Sequence, residues 1–130
     1  MAEKDVVVQN MKHLARTLLV GSGQLKRFNG SVGVVVQRFL DLLISCTRAM
    51  PTRVEAFEPV RGKLLLYWDE YRRKSSLFRT QAEVLGSLGV VVEAVRPLAM
   101  NALKTVSAPR KEVEEISRVF TEITTILTSR

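Results

Sequence analysis

His13, the only histidine, and Cys46, the only cysteine, are the residues of this chain best equipped for nucleophilic chemistry. An activated thiol needs the imidazole beside it and a third group to orient the base. Both residues instead fall on segments with the spacing of ordinary helices. Cys46 lies on the apolar stripe of its segment, where a small thiol serves as packing. A metal centre has no better support, because one His and one Cys without a paired carboxylate–histidine motif fall short of a ligand set. No catalytic residue, cofactor or metal site is assigned from the sequence. An enzyme built on this chain would have to use residues that the pattern does not reveal.

Two further groups carry chemistry of a different kind. Gly21-Ser22-Gly23 followed by Lys26 and Arg27 has the composition of a phosphate-binding turn. It lacks the glycine spacing and the Lys-Ser/Thr pair of a phosphate loop, and no strand precedes it. Its plainer reading is a flexible interhelical loop with a basic edge. Arg72-Arg73-Lys74-Ser75 resembles the substrate pattern of basophilic protein kinases, which makes Ser75 a candidate phosphorylation site. A phosphate there would sit beside three cations. Lys26, Arg27, Arg72, Arg73, Lys74 and Arg79 together form a candidate surface for RNA, DNA or acidic membrane. Against it, Asp69 and Glu70 stand four residues before Arg73 and Lys74, the spacing for helix ion pairs. Trp68 and Tyr71 near these arginines could stack on bases, but both keep the phase of a core stripe.

The elements that would position these residues read as helices. Val7, Met11, Leu14 and Leu18 set the first stripe, and Gly21-Ser22-Gly23 is expected to end it, with Gln24–Phe28 as a separate turn. Val32, Val35, Phe39, Leu42, Cys46 and Ala49 advance by alternating steps of three and four. Ser31 is placed to cap that helix and Pro51 to stop it. A third segment carries Phe57, Val60, Leu64, Trp68 and Tyr71, with Pro59 near its start. Phe78, Ala82, Leu85, Val92 and Val95 follow in the same phase, so residues 59–96 are compatible with one long helix or with two joined at Ser75-Ser76. Gly86 and Gly89 would permit a close helix neighbour, and Pro97 is expected to kink or end the segment. Ser107 is the expected cap of a last helix whose stripe is Val113, Ile116, Phe120, Ile123 and Leu127. Glu112, Glu114 and Glu115 suit the positive end of its dipole.

Composition bounds what these stripes can build. A chain of 130 residues, 46% hydrophobic and 25% charged, suits one globular domain spanning 1–130 without disulfide or metal. A single cysteine and an acid-containing N-terminus without an apolar export core point to a reducing, intracellular compartment, the cytoplasm being the expectation. No stretch is long and apolar enough to cross a membrane. The net charge of +7 is compatible with a polyanion partner and with simple solubility.

The expected fold is all-α, a four- or five-helix bundle that is largely antiparallel. The expected function is non-enzymatic: a protein–protein interaction or adaptor module of a larger assembly. The alternative is a basic bundle that binds nucleic acid or acidic membrane.

Overall fold

The computed structural model describes residues 2–129; Met1 and Arg130, the ends of the expected domain, lie outside the described residues. Five helices, α1 (Glu3–Arg27), α2 (Val32–Ala49), α3 (Glu58–Arg73), α4 (Gln81–Thr105) and α5 (Arg110–Thr128), are joined by short links. Single 3-10 turns at Glu55–Phe57 and Ser75–Leu77 flank α3. No strand occurs among the described residues, and the chain is the expected helical bundle.

Local signals set most boundaries. Ser31 caps α2 by accepting from the Val34 N–H at 3.4 Å. Pro59 occupies the tolerated first turn of α3. The long-helix alternative for residues 59–96 does not hold: α3 ends at Arg73 and α4 begins at Gln81. The new start is a variant of the capping box, with the return bond made to the residue before the cap. Thr80 Oγ1 accepts from the Glu83 N–H at 3.2 Å, while the Glu83 carboxylate accepts from the Arg79 N–H at 3.2 Å.

Three breaks expected from the sequence are corrected. Helix α1 runs through Gly21-Ser22-Gly23, and all three residues are buried. A Cβ on Gly21 would lie 2.5 Å from Leu42 Cδ2, so this glycine lets α2 approach rather than ending the helix. Of the two outcomes expected at Pro97, the ending does not occur: α4 continues through it to Thr105. Proline has no N–H to give the Glu93 carbonyl, but Glu93 and Pro97 are both exposed, so water can satisfy it. Ser107 does not cap α5. It closes α4 in a left-handed conformation, φ 55°. Its N–H bonds to the Lys104 carbonyl at 3.0 Å, and the Ala108 N–H bonds to the Leu103 carbonyl at 2.9 Å. That pair of bonds is a Schellman motif, with serine where glycine usually stands.

Helix α4 is the hub. It packs on each of the other four helices, while α5, α1, α2 and α3 follow one another around it. Val84, Leu88, Val91, Val92, Val95, Ala99, Ala102 and Leu103 are buried along it. Of the stripe expected there, Val92 and Val95 are buried, while Ala82 is exposed and Leu85 half-buried. Successive helices alternate in direction, as the early-to-late contacts show: Asn10 of α1 lies by Ala49 of α2, Phe39 of α2 meets Tyr71 of α3, Tyr71 of α3 lies by Glu83 of α4, and Arg96 of α4 bonds to Ser117 of α5. Two helices an even number of steps apart must then run parallel, and α1 and α5 do. Lys12 pairs with Glu112 at 2.5 Å, Arg16 with Glu115 at 3.0 Å, and Lys26 bonds to the last turn of α5.

Two substitutions test this description. Ser107→Gly relieves a left-handed serine and is expected to raise stability by about 0.5–1 kcal/mol; a lower urea midpoint would contradict the Schellman assignment. Ser22 Oγ is buried with no hydrogen-bond partner among the described residues. Ser22→Ala is therefore expected to be neutral or stabilising by up to about 1 kcal/mol. A marked loss of stability would mean that the hydroxyl is bonded.

Candidate functional site

The fold brings His13 and Cys46 to one crevice between α1 and α2, lined also by Asn10, Thr17, Ser45 and Met50. Its volume is about 10 Å³, room for no more than a single water molecule. Cys46 is 3% exposed, and burial pushes its thiol up to about 12. At neutral pH it stays protonated and supplies no thiolate. No group of three or more His, Cys, Asp or Glu suited to a metal ion occurs among the described residues.

The six candidate basic residues gather at one end of the bundle, where α1 and α3 finish and α4 begins. Most are engaged there. Lys26 and Arg27 sit in the last turn of α1 rather than in a loop. The Lys26 ammonium caps α5, donating to the Ile126 carbonyl at 2.6 Å, to the Ser129 hydroxyl at 2.7 Å and to the Ser129 carbonyl. A cation at a helix C-terminus is favourable for the dipole as well as for the orphan carbonyls. Arg72 and Arg73 both pair with Asp69, at 3.2 and 3.6 Å, and Lys74 pairs with Glu70 at 3.1 Å. The Arg79 guanidinium donates to the Ser76 carbonyl at 2.9 Å. Arg27 has neither an acid nor a carbonyl partner among the described residues. Ser75 opens the 3-10 turn that follows α3 and is half-buried beside exposed Lys74.

The aromatic residues divide. Tyr71 belongs to a cluster that pins the 3-10 turn onto α2, with ring centroids 5.2 Å from Phe39 and 6.0 Å from Phe78. Trp68 is half-buried, and the Arg72 guanidinium lies over its ring at 5.2 Å. The indole is thus already stacked and leads outward onto a surface that the stripe reading passed over.

That surface is the outer face of α3. Only Val60 and Leu64 of this helix are buried. Leu65 is 46% exposed and Leu66 59%. With Gly62, Trp68 and Asp69 they line a shallow recess of about 440 Å³. The signal was present in the sequence. Leu64-Leu65-Leu66-Tyr67-Trp68 places five apolar residues in a row, and one side of a helix cannot bury them all. A second groove runs along the α1–α2 seam over Leu42, with Gly21, Gln24, Arg38, Asp41 and Ser45 on its walls. Exposed Val20 lines a neighbouring recess over the same Leu42.

For Cys46 the burial has a direct consequence. Native protein is expected to react slowly with thiol reagents, and denaturant should unmask the thiol; fast native labelling would contradict its placement in the core. Folding holds the proton, so the Cys46 contribution to stability should be constant below the ordinary thiol value of 9.0 and fall as pH rises from there towards about 12. In this range the unfolded thiol ionises while the folded one does not. Cys46→Ala should remove that pH dependence and cost about 1 kcal/mol in packing. Comparisons with protein-family models, with curated proteins and with solved structures give no match for this chain.

Proposed function

We propose that this chain is a non-enzymatic protein-interaction module that receives its partner on the outer face of α3. The observation that carries the reading is the exposed Leu65–Leu66 pair beside half-buried Trp68. Tryptophan and arginine are favoured anchors at interfaces, and here Arg72 lies over Trp68 at the edge of the patch. Covering the exposed parts of the two leucines would contribute about 2 kcal/mol. Asp69 lines the recess with the leucines, and its ion pairs with Arg72 and Arg73 and the Glu58–Arg61 pair lie towards the two ends of the helix, an apolar centre with polar flanks.

The alternative is binding of RNA, DNA or acidic membrane. One feature supports it, the collection of six basic residues at one end of the bundle. Against it, Arg72, Arg73 and Lys74 are paired with acids and Lys26 is spent on α5. No helix among the described residues is long and apolar enough to cross a membrane.

Leu66→Asp tests the leading reading. The side chain is exposed, so helicity and stability should stay within about 0.5 kcal/mol of the parent. Affinity capture after nuclease treatment should lose the proteins that the parent retains. Equal capture by both forms would contradict the reading. Capture that disappears with nuclease in the parent itself would favour the polyanion alternative.

A further inference from the structure

We infer that the occupant of the α3 face is a second copy of this chain, packed antiparallel through α3 about a two-fold axis. The inference rests on the interaction-module reading and goes beyond it in naming the partner.

The first ground is the symmetry of the face. Glu58, Gly62, Leu66, Asp69 and Arg73 follow one another at helical-turn spacing along the exposed side of α3, with Leu65 beside them. Glu58 and Arg73 lie equally far from the midpoint between Leu65 and Leu66, about 11 Å along the axis at 1.5 Å per residue. Gly62 and Asp69 are likewise equidistant from it. Two copies placed antiparallel about that midpoint bring their leucine pairs together at the centre. The same placement puts Glu58, which pairs with Arg61 in its own chain, within reach of Arg72 and Arg73 of the other copy, which pair there with Asp69, so that the cross-contacts extend existing ion pairs. The surface is self-complementary in charge, as an isologous interface requires. Antiparallel helices also set opposite dipole ends against each other.

The second ground is Gly62. It stands inside an exposed helix, where glycine costs about 1 kcal/mol relative to alanine. A Cβ there would meet nothing within 4 Å. Packing inside the chain therefore gives no reason for glycine at this position. In the antiparallel pair Gly62 falls opposite Asp69 of the other copy. The missing side chain leaves space for that carboxylate, which keeps its own ion pairs with Arg72 and Arg73.

Sedimentation equilibrium of the full chain, from low micromolar to millimolar protein, tests the inference. The expected result is a monomer–dimer equilibrium that Leu66→Asp weakens by about tenfold or more. Gly62→Ala should act in opposite senses, raising the melting temperature of dilute protein while weakening self-association. Glu58→Arg and Arg73→Glu should each weaken association by about fivefold or more, since each sets like charges opposite at two symmetric places. An equimolar mixture of those two variants should associate better than either alone, because both cross-contacts in the mixed dimer pair opposite charges. Circular dichroism of every variant confirms that the helices persist. A monomer at all concentrations overturns the inference, as does a dimer indifferent to Leu66→Asp, or a mixture no better than its components. If the chain is monomeric and Leu66→Asp still abolishes capture of other proteins, the second copy is excluded and the interaction-module reading stands.

Discussion

The constraint on which this bundle depends is the burial of α4. Its apolar residues point in several directions, from Val84 and Leu88 through Val91, Val92 and Val95 to Leu103. One neighbouring helix cannot cover them. The other four helices therefore gather around it, and the order α5, α1, α2, α3 follows from short links and alternating directions. The parallel α1–α5 contact is a consequence. These two helices are joined by no loop and must recognise each other by side chains alone, which explains the polar ladder along their seam. Lys12, Arg16 and Lys26 of α1 meet Glu112, Glu115 and the C-terminal carbonyls of α5 in matching order. A reversed α5 would face those cations with the wrong groups.

The same arrangement leaves α3 at one end of the row. It touches α2 and α4 and is held chiefly by Val60, Leu64 and the aromatic cluster around Tyr71. That is enough to fix the helix and too little to cover it. Among the exposed large apolar residues, Leu65 and Leu66 stand side by side next to half-buried Trp68, whereas Val20, Val34, Leu77 and Val90 lie apart on other elements. The basic residues tell the opposite story. Of the six at the end of the bundle, Arg72, Arg73 and Lys74 pair with acids and Lys26 and Arg79 donate to carbonyls.

Legibility in the sequence followed the number of sides each helix buries. Helices α2 and α5 bury one main face, and their stripes are buried at Val35, Phe39 and Cys46 and at Ile116, Phe120 and Ile123, while Leu42 is half-buried and Ala49, the last residue of α2, is exposed. In α4 the apolar residues occupy several faces, so more than one stripe can be drawn, and the expected one meets the core at Val92 and Val95 but misses it at Ala82 and Leu85. Gly21-Ser22-Gly23 looked like a terminator because its role is tertiary: it admits Leu42, a residue distant in the chain. The break between α3 and α4 was ambiguous because the heptad phase runs straight across it. The deciding signal, Thr80 with Glu83 three residues on, is a variant of the capping box and not a change of period. The α3 face was written in the run from Leu64 to Trp68, but which of those residues remain outside depends on how few neighbours α3 has.

The most direct measurement concerns that run, because Leu64, Leu65 and Leu66 are adjacent and differ only in what covers them. Methyl resonances of the three leucines can be recorded in dilute protein with and without a soluble paramagnetic agent. The account expects strong broadening of the Leu65 and Leu66 methyls while those of Leu64, beneath the helix, stay sharp. Leu65 and Leu66 methyls as protected as those of Leu64 would contradict it, since α3 would then have no free apolar face to offer.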